Sequence, residues 1–163
     1  MFLSSKVTPI QCVFSPSNLS GTPTEMNSIH MRPYLDSDYE MLSQWRVAHG
    51  KDIVPEIVLP KCGVICEING NPTASLFLHM SNSNGMCMVE HAVSAPSLSI
   101  KLAREAFGHC MSCLKKIAHD LGYHTMAAYA HPAMVRLVKR HGFRAGEKNL
   151  VQMFAPTQEV HNG

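Results

Sequence analysis

An α/β fold around one mixed sheet is what this sequence predicts, and three observations carry the prediction. An apolar run, Met86-Cys-Met-Val-Glu-His-Ala-Val93, leads into a long amphipathic stretch and then a second strand-like run, Tyr123-His-Thr-Met-Ala-Ala-Tyr-Ala130. A helix between two strands makes a right-handed crossover, and so a parallel pair. Upstream, Cys62-Gly-Val-Ile-Cys-Glu-Ile68 and Thr73-Ala-Ser-Leu-Phe-Leu-His-Met80 flank Asn69-Gly70-Asn71-Pro72, and Asn-Gly tolerates the positive φ of a tight antiparallel hairpin. Downstream, Pro132 suits the first turn of a short helix that closes at Gly142.

Residues 1–28 hold three prolines and many Ser, Thr and Asn, and read as an N-terminal arm ahead of a domain spanning 29–156 and a tail at 157–163. The apolar island Ile10-Gln-Cys-Val-Phe14 of the arm is expected to pack on the domain or on a partner, which leaves a homo-oligomer or protein contact open. Ile29-His-Met-Arg-Pro33 is the first strand. Asp36-Ser-Asp-Tyr-Glu40 opens a helix, with Ser37 and Glu40 spaced for a capping box. Leu42, Trp45 and Ala48 form its expected buried stripe, and the loop of residues 51–61 behind it, with two prolines, is of the kind that carries specificity.

The run at residues 86–93 is nearly continuous in apolar residues, as in a strand covered on both faces. Pro96 ends it, and Ser97 or Ser99 caps the next helix. There Ile100, Ala103, Ala106, Phe107, Cys110, Leu114, Ile117 and Leu121 recur every three or four positions, opposite Lys101, Arg104, Lys115, Lys116 and Asp120. Met134, Val135, Leu137 and Val138 should face inward from the short helix, Phe143 should re-enter the core, and residues 147–155 should form a last strand.

At 163 residues and 45% hydrophobic, the chain is long enough for one ordinary core. A net charge of +2 lacks the concentrated basic face that nucleic acid requires. No apolar run reaches the roughly 18 residues that a membrane-spanning helix needs. Most of the six cysteines lie in apolar strands or helix faces, which points to reduced thiols and a cytoplasmic setting. Cys62, Cys66, Cys110 and Cys113 are placed in a strand and a mid-helix face rather than in zinc knuckles, so no metal is expected.

In its spacing, His131-Pro-Ala-Met-Val-Arg-Leu-Val-Lys-Arg-His-Gly-Phe143 resembles the terminal "Asn, small residue, Leu-Tyr, Gly-Phe" segment of the GCN5-related N-acetyltransferase superfamily. By arrangement of elements the resemblance covers residues 29–155, and short members encoded by bacteria and their phages are similar. It implies the acetyltransferase fold: a mixed, mostly antiparallel sheet with a splayed parallel strand pair flanked by helices. It also implies acetyl-CoA as cofactor and transfer of the acetyl group to a primary amine of a small molecule or protein.

The resemblance assigns roles residue by residue. The strand through Ala92, Val93, Ser94 and Ala95 offers its backbone to the pantetheine arm. The CoA diphosphate belongs at the start of the long helix, where the family has Gln/Arg-x-x-Gly-x-Gly/Ala. The matching Ala95-Pro-Ser-Leu-Ser-Ile-Lys-Leu-Ala-Arg104 has no glycine, which leaves Ser97, Ser99, Ile100, Lys101 and Arg104 as contacts. His131 replaces the usual asparagine, and Arg136 on the short helix is within the same reach. Glu90 is the general base and His91 the second candidate; alternation sends them to opposite faces unless a bulge intervenes. Val138 occupies the place of the usual tyrosine acid, and Tyr129 is the nearby substitute. Two functions therefore stay open: an acetyltransferase, or an acetyltransferase-like binding or structural protein without turnover.

Overall fold

The computed structural model describes residues 27–147, so most of the arm, the expected strand at 147–155 and the tail lie outside the described residues. The elements are β1 (Ile29–Pro33), a short 3-10 turn (Asp36–Asp38), α1 (Tyr39–Ala48), a second 3-10 turn (Glu56–Val58), β2 (Cys62–Ile68), β3 (Asn71–Met80), β4 (Met86–Ser94), α2 (Ile100–Asp120), β5 (Thr125–Ala128) and α3 (Pro132–Arg140). The strands form one sheet in the order β1-β2-β3-β4-β5. The first three junctions are antiparallel and β4 pairs with β5 in parallel. Asn69 and Gly70 make the tight turn between β2 and β3 with φ of 53° and 76°, the doubly positive geometry that Asn-Gly suits.

The larger core lies between the sheet and α2. Leu76, Leu78, Cys87 and Val89 from the strands meet Phe107, Cys110, Met111 and Leu114 from α2. Fully burying such side chains stabilises the fold by roughly 1.5–3 kcal/mol each. A smaller core on the opposite face joins Leu42 and Trp45 of α1 to Phe77 and Val93. The helix ends depart from the periodicity: Ala48 is exposed, as are Ile100 (71%) and Leu121 (42%), because each projects past its core.

The start of α1 is secured differently from the Ser37–Glu40 capping box. Asp38 instead accepts from the Leu35 N–H at 2.9 Å and from two Arg32 nitrogens at 2.7 and 2.8 Å. Arg32 also donates to Glu67 on β2 at 2.6 Å, while Glu40 turns to Gln44 at 3.0 Å. Charge-assisted bonds to a half-buried guanidinium outweigh what a serine hydroxyl offers. The beginning of α1 is thereby tied to the first two strands.

α3 is held against α2 by three contacts. Val138 is buried in the main core, His141 meets Phe107 edge-on at 5.6 Å, and Lys115 donates to the His141 carbonyl. Phe143 packs against the same core, with Lys115 over its ring.

Gly63 is required where β2 passes the second core. A Cβ there would lie 2.5 Å from the Phe77 ring and 3.0 Å from Tyr34 Cβ. Phe77 is 1% exposed and edge-packed on Tyr34 at 5.0 Å, so the ring has nowhere to go. Gly63→Ala should cost about 1–3 kcal/mol. The expected reading is a lower urea midpoint at unchanged m-value; a midpoint equal to the parent's would show that the contact relaxes freely.

Candidate active site

The site begins where the two parallel strands part. β4 stays bonded to β3 as far as Ala74 opposite Ser94. Its pairing with β5 runs only from Met86–Thr125 to Val89–Ala128. Beyond Val89, residues 90–94 have no partner on β5, whose chain leaves the sheet and enters α3.

A bulge lies at the parting. Phe77 pairs with Glu90 and Ser75 with Val93, so His91 and Ala92 together stand opposite Leu76 alone. His91 takes a left-handed φ of 54°, a conformation that non-glycine residues adopt at some cost and that recurs at functional sites. The extra residue bends the strand and resets its alternation. Ala92 now packs on the α2 side and Val93 on the α1 side.

Glu90 and His91 are consequently brought together instead of being sent to opposite faces. Glu90 shares the α1 side with its cross-strand partner Phe77, and His91 lines a narrow crevice there with Tyr39, Ser43 and Arg46. His91 Nε2 lies 3.3 Å from Glu90 Oε2, with the two side chains 18% and 17% exposed. The Phe77 ring meets the imidazole edge-on at 6.4 Å. Burial pushes His91 below the usual histidine range, Glu90 pulls it partly back, and Arg46 and His79 add to the lowering. A neutral imidazole beside a carboxylate is a competent proton acceptor.

The parting opens a cleft of about 670 Å³. Ala92, Val93 and Ser94 form its β4 wall, Ile100 and Arg104 its α2 wall, and Arg136 projects from α3; these six are among the contacts that the family resemblance implied. Ala103, Phe107, Met134 and Leu137 add an apolar lining that periodicity assigned only to the core. Arg140 and Lys51 add positive charge, and among the described residues the lining contains no acid. His49 joins from the end of α1, its Nε2 2.9 Å from the Ser94 carbonyl. A carbonyl only accepts, so this nitrogen carries the proton.

The remaining expected contacts lie elsewhere. The Ala95 N–H is engaged by the Thr73 carbonyl at 2.8 Å, Ser99 caps α2 by accepting from the Leu102 N–H at 3.3 Å, and neither lines the cleft. Ser97 and Lys101 are exposed outside it, as is His131, which precedes α3 as its N-cap. Tyr129 is 65% exposed, away from the lining, because the chain has already left the sheet at Ala128. Among the further lining residues, Arg140 had a legible signal in its four-residue spacing from Arg136, whereas His49 had none. Among the described residues no group of three or more His, Cys, Asp or Glu is placed to hold a metal ion.

This geometry has counterparts among solved structures. An acetyltransferase of Trypanosoma brucei superposes with a TM-score of 0.55 at 16% identity, covering 78% of this chain and 100% of the other. Rv2747 of Mycobacterium tuberculosis, solved in complex with CoA, gives 0.60 at 16%, covering 76% of each chain. The aminoglycoside N-acetyltransferase AAC(6')-Iy, also in complex with CoA, gives 0.51 at 13%, covering 81% of this chain and 98% of the other. Neither a family model nor a curated protein matches the sequence. The likeness is one of fold, and it is plain: the described residues have the fold of the GCN5-related N-acetyltransferases.

The lowered His91 has a consequence for stability. Its neutral form is favoured in the folded state, so the unfolded chain binds more protons once pH falls below about 6.5. Stability from this group is complete above that pH and is lost as pH falls toward the folded value. His141, lowered by burial and then by Lys115, acts in the same direction. Tm should therefore drop between pH 7.5 and 5.5, and His91→Gln should make the drop shallower. An identical pH slope in the variant would show that His91 protonates without penalty.

Proposed function

We propose that this protein is an acetyl-CoA-dependent N-acetyltransferase acting on a primary amine. The observation that carries the reading is the open cleft lined by residues 92–94 of β4, with the Glu90–His91 pair on the α1 side of the same bulge. The described residues suit the cofactor: a cationic lining without acids among them for its phosphates and an apolar stretch for its arm. Bound there, acetyl-CoA supplies an activated acyl group on a thiol leaving group.

The β4 backbone beyond Val89 is free of β5 and can pair with an extended amide-bearing arm as an added strand would. Phe107, Met134 and Leu137, which line the cleft, would shield that arm from water. An amine entering from the α1 side must lose a proton, and His91 and Glu90 are the acceptors there, directly or through one water. The thiolate is a tolerable leaving group, so no nearby acid is essential. A second reading, cofactor binding without turnover, is favoured by Val138: it replaces the usual tyrosine and is buried in the main core.

Titrating the full chain with acetyl-CoA should raise Tm saturably, by the equivalent of about 2.7 kcal/mol at a hundredfold excess over Kd. Turnover with a panel of primary amines should release free thiol. Glu90→Gln and His91→Gln should each lower kcat by about 10²–10⁴ and leave acetyl-CoA affinity unchanged. A Tm rise without thiol release would select the second reading, and no rise at millimolar acetyl-CoA would refute both.

A further inference from the structure

Resting on the proposed cofactor site, we infer that arginine side chains on α2 and α3 grip the donor's phosphates in place of the backbone turn ahead of α2. That turn is ill suited to the task. It has no glycine to let a phosphate approach the backbone closely. Neither serine of that turn lines the cleft: Ser99 accepts from the Leu102 N–H as the helix cap, and Ser97 is exposed outside it.

The cleft offers a different anion site. Arg104 lines it from α2, and Arg136 and Arg140 line it from α3. Among the described residues no carboxylate pairs with any of the three. Arg136 and Arg140 are four residues apart, so their side chains are neighbours on one helix face, and like charges so placed destabilise an isolated helix. An arrangement that is costly alone becomes favourable when an anion bridges it. Guanidinium forks donate in pairs to phosphate oxygens, and among the described residues no acid lines the cleft to compete for them. The fit is to a polyanion longer than one phosphate, because the cations come from two facing helices. The diphosphate and 3′-phosphate of CoA meet that description.

Recognition by side chains differs in its consequences from recognition by a backbone turn. Affinity should depend strongly on ionic strength, since exposed charges are screened within about 8 Å at physiological salt. It should also be separable from binding of the arm. The test is calorimetric titration of the full-length protein and of Arg136→Ala/Arg140→Ala with CoA, 3′-dephospho-CoA, 4′-phosphopantetheine and pantetheine.

The parent should bind CoA far more tightly than pantetheine, with affinity falling as salt rises. The double variant should lose on the order of 100-fold for CoA and nothing for pantetheine. Lys139→Ala, on α3 but outside the cleft, should bind as the parent does. The two intermediate probes tell which phosphate the arginines hold. A double variant that keeps its CoA affinity, or loses pantetheine equally, would overturn the inference while leaving the cofactor site standing. A parent that binds none of the four probes would overturn the function itself. The salt dependence of the parent requires no mutation: flat affinity for CoA would also count against the arginines.

Discussion

Everything proposed for this protein depends on an asymmetry in β4, which keeps its bonds to β3 to the end but relinquishes β5 halfway. A strand in the middle of a sheet has no backbone groups to offer a ligand. Releasing one side converts it locally into an edge strand, normally a liability that proteins cover. Here α2 and α3 flank the exposed edge and make it a cleft. The bulge at His91 belongs to the same event, since one extra residue bends the strand away and changes which face its side chains serve.

The bulge also decides the electrostatics. In regular alternation Glu90 and His91 would sit on opposite faces, one of them inside the main core, where an ionised group is costly. The left-handed His91 places both beside Phe77 on the thinner side of the sheet, near Arg46 and His79. The acid and base groups thus lie on one side of β4, while the cationic lining of Arg104, Arg136 and Arg140 gathers between α2 and α3.

Much of the fold was legible. Strands β1 and β2 begin and end where alternation and turn residues place them, and Asn69-Gly70 adopts the turn its chemistry demands. For the candidate site the family resemblance was the guide: of the residues it named as cofactor contacts, Ala92, Val93, Ser94, Ile100, Arg104 and Arg136 line the cleft. Ser97, His131 and Tyr129 fell outside because nearness along the chain says little about direction once it has left a regular element, and Lys101, although within α2, is exposed outside the cleft. His49 reaches Ser94 from 45 residues away, a distance over which local pattern carries no information. The Asp38 anchor was missed for the same reason: a capping motif is read locally, and Arg32 belongs to another element.

What the sequence determined alone is what depends on neighbours in the chain: the periods of two and 3.6, the Asn-Gly turn, the serine cap, and the order of strands and helices that names the fold. The tertiary structure alone decided where β5 lets go of β4, that His91 turns left-handed, and that three arginines from two helices share one cleft. The physical reason is that periodicity is local and short-ranged, whereas a cleft is defined by bonds between distant segments that end, and no pattern within one segment records where a partner will leave it.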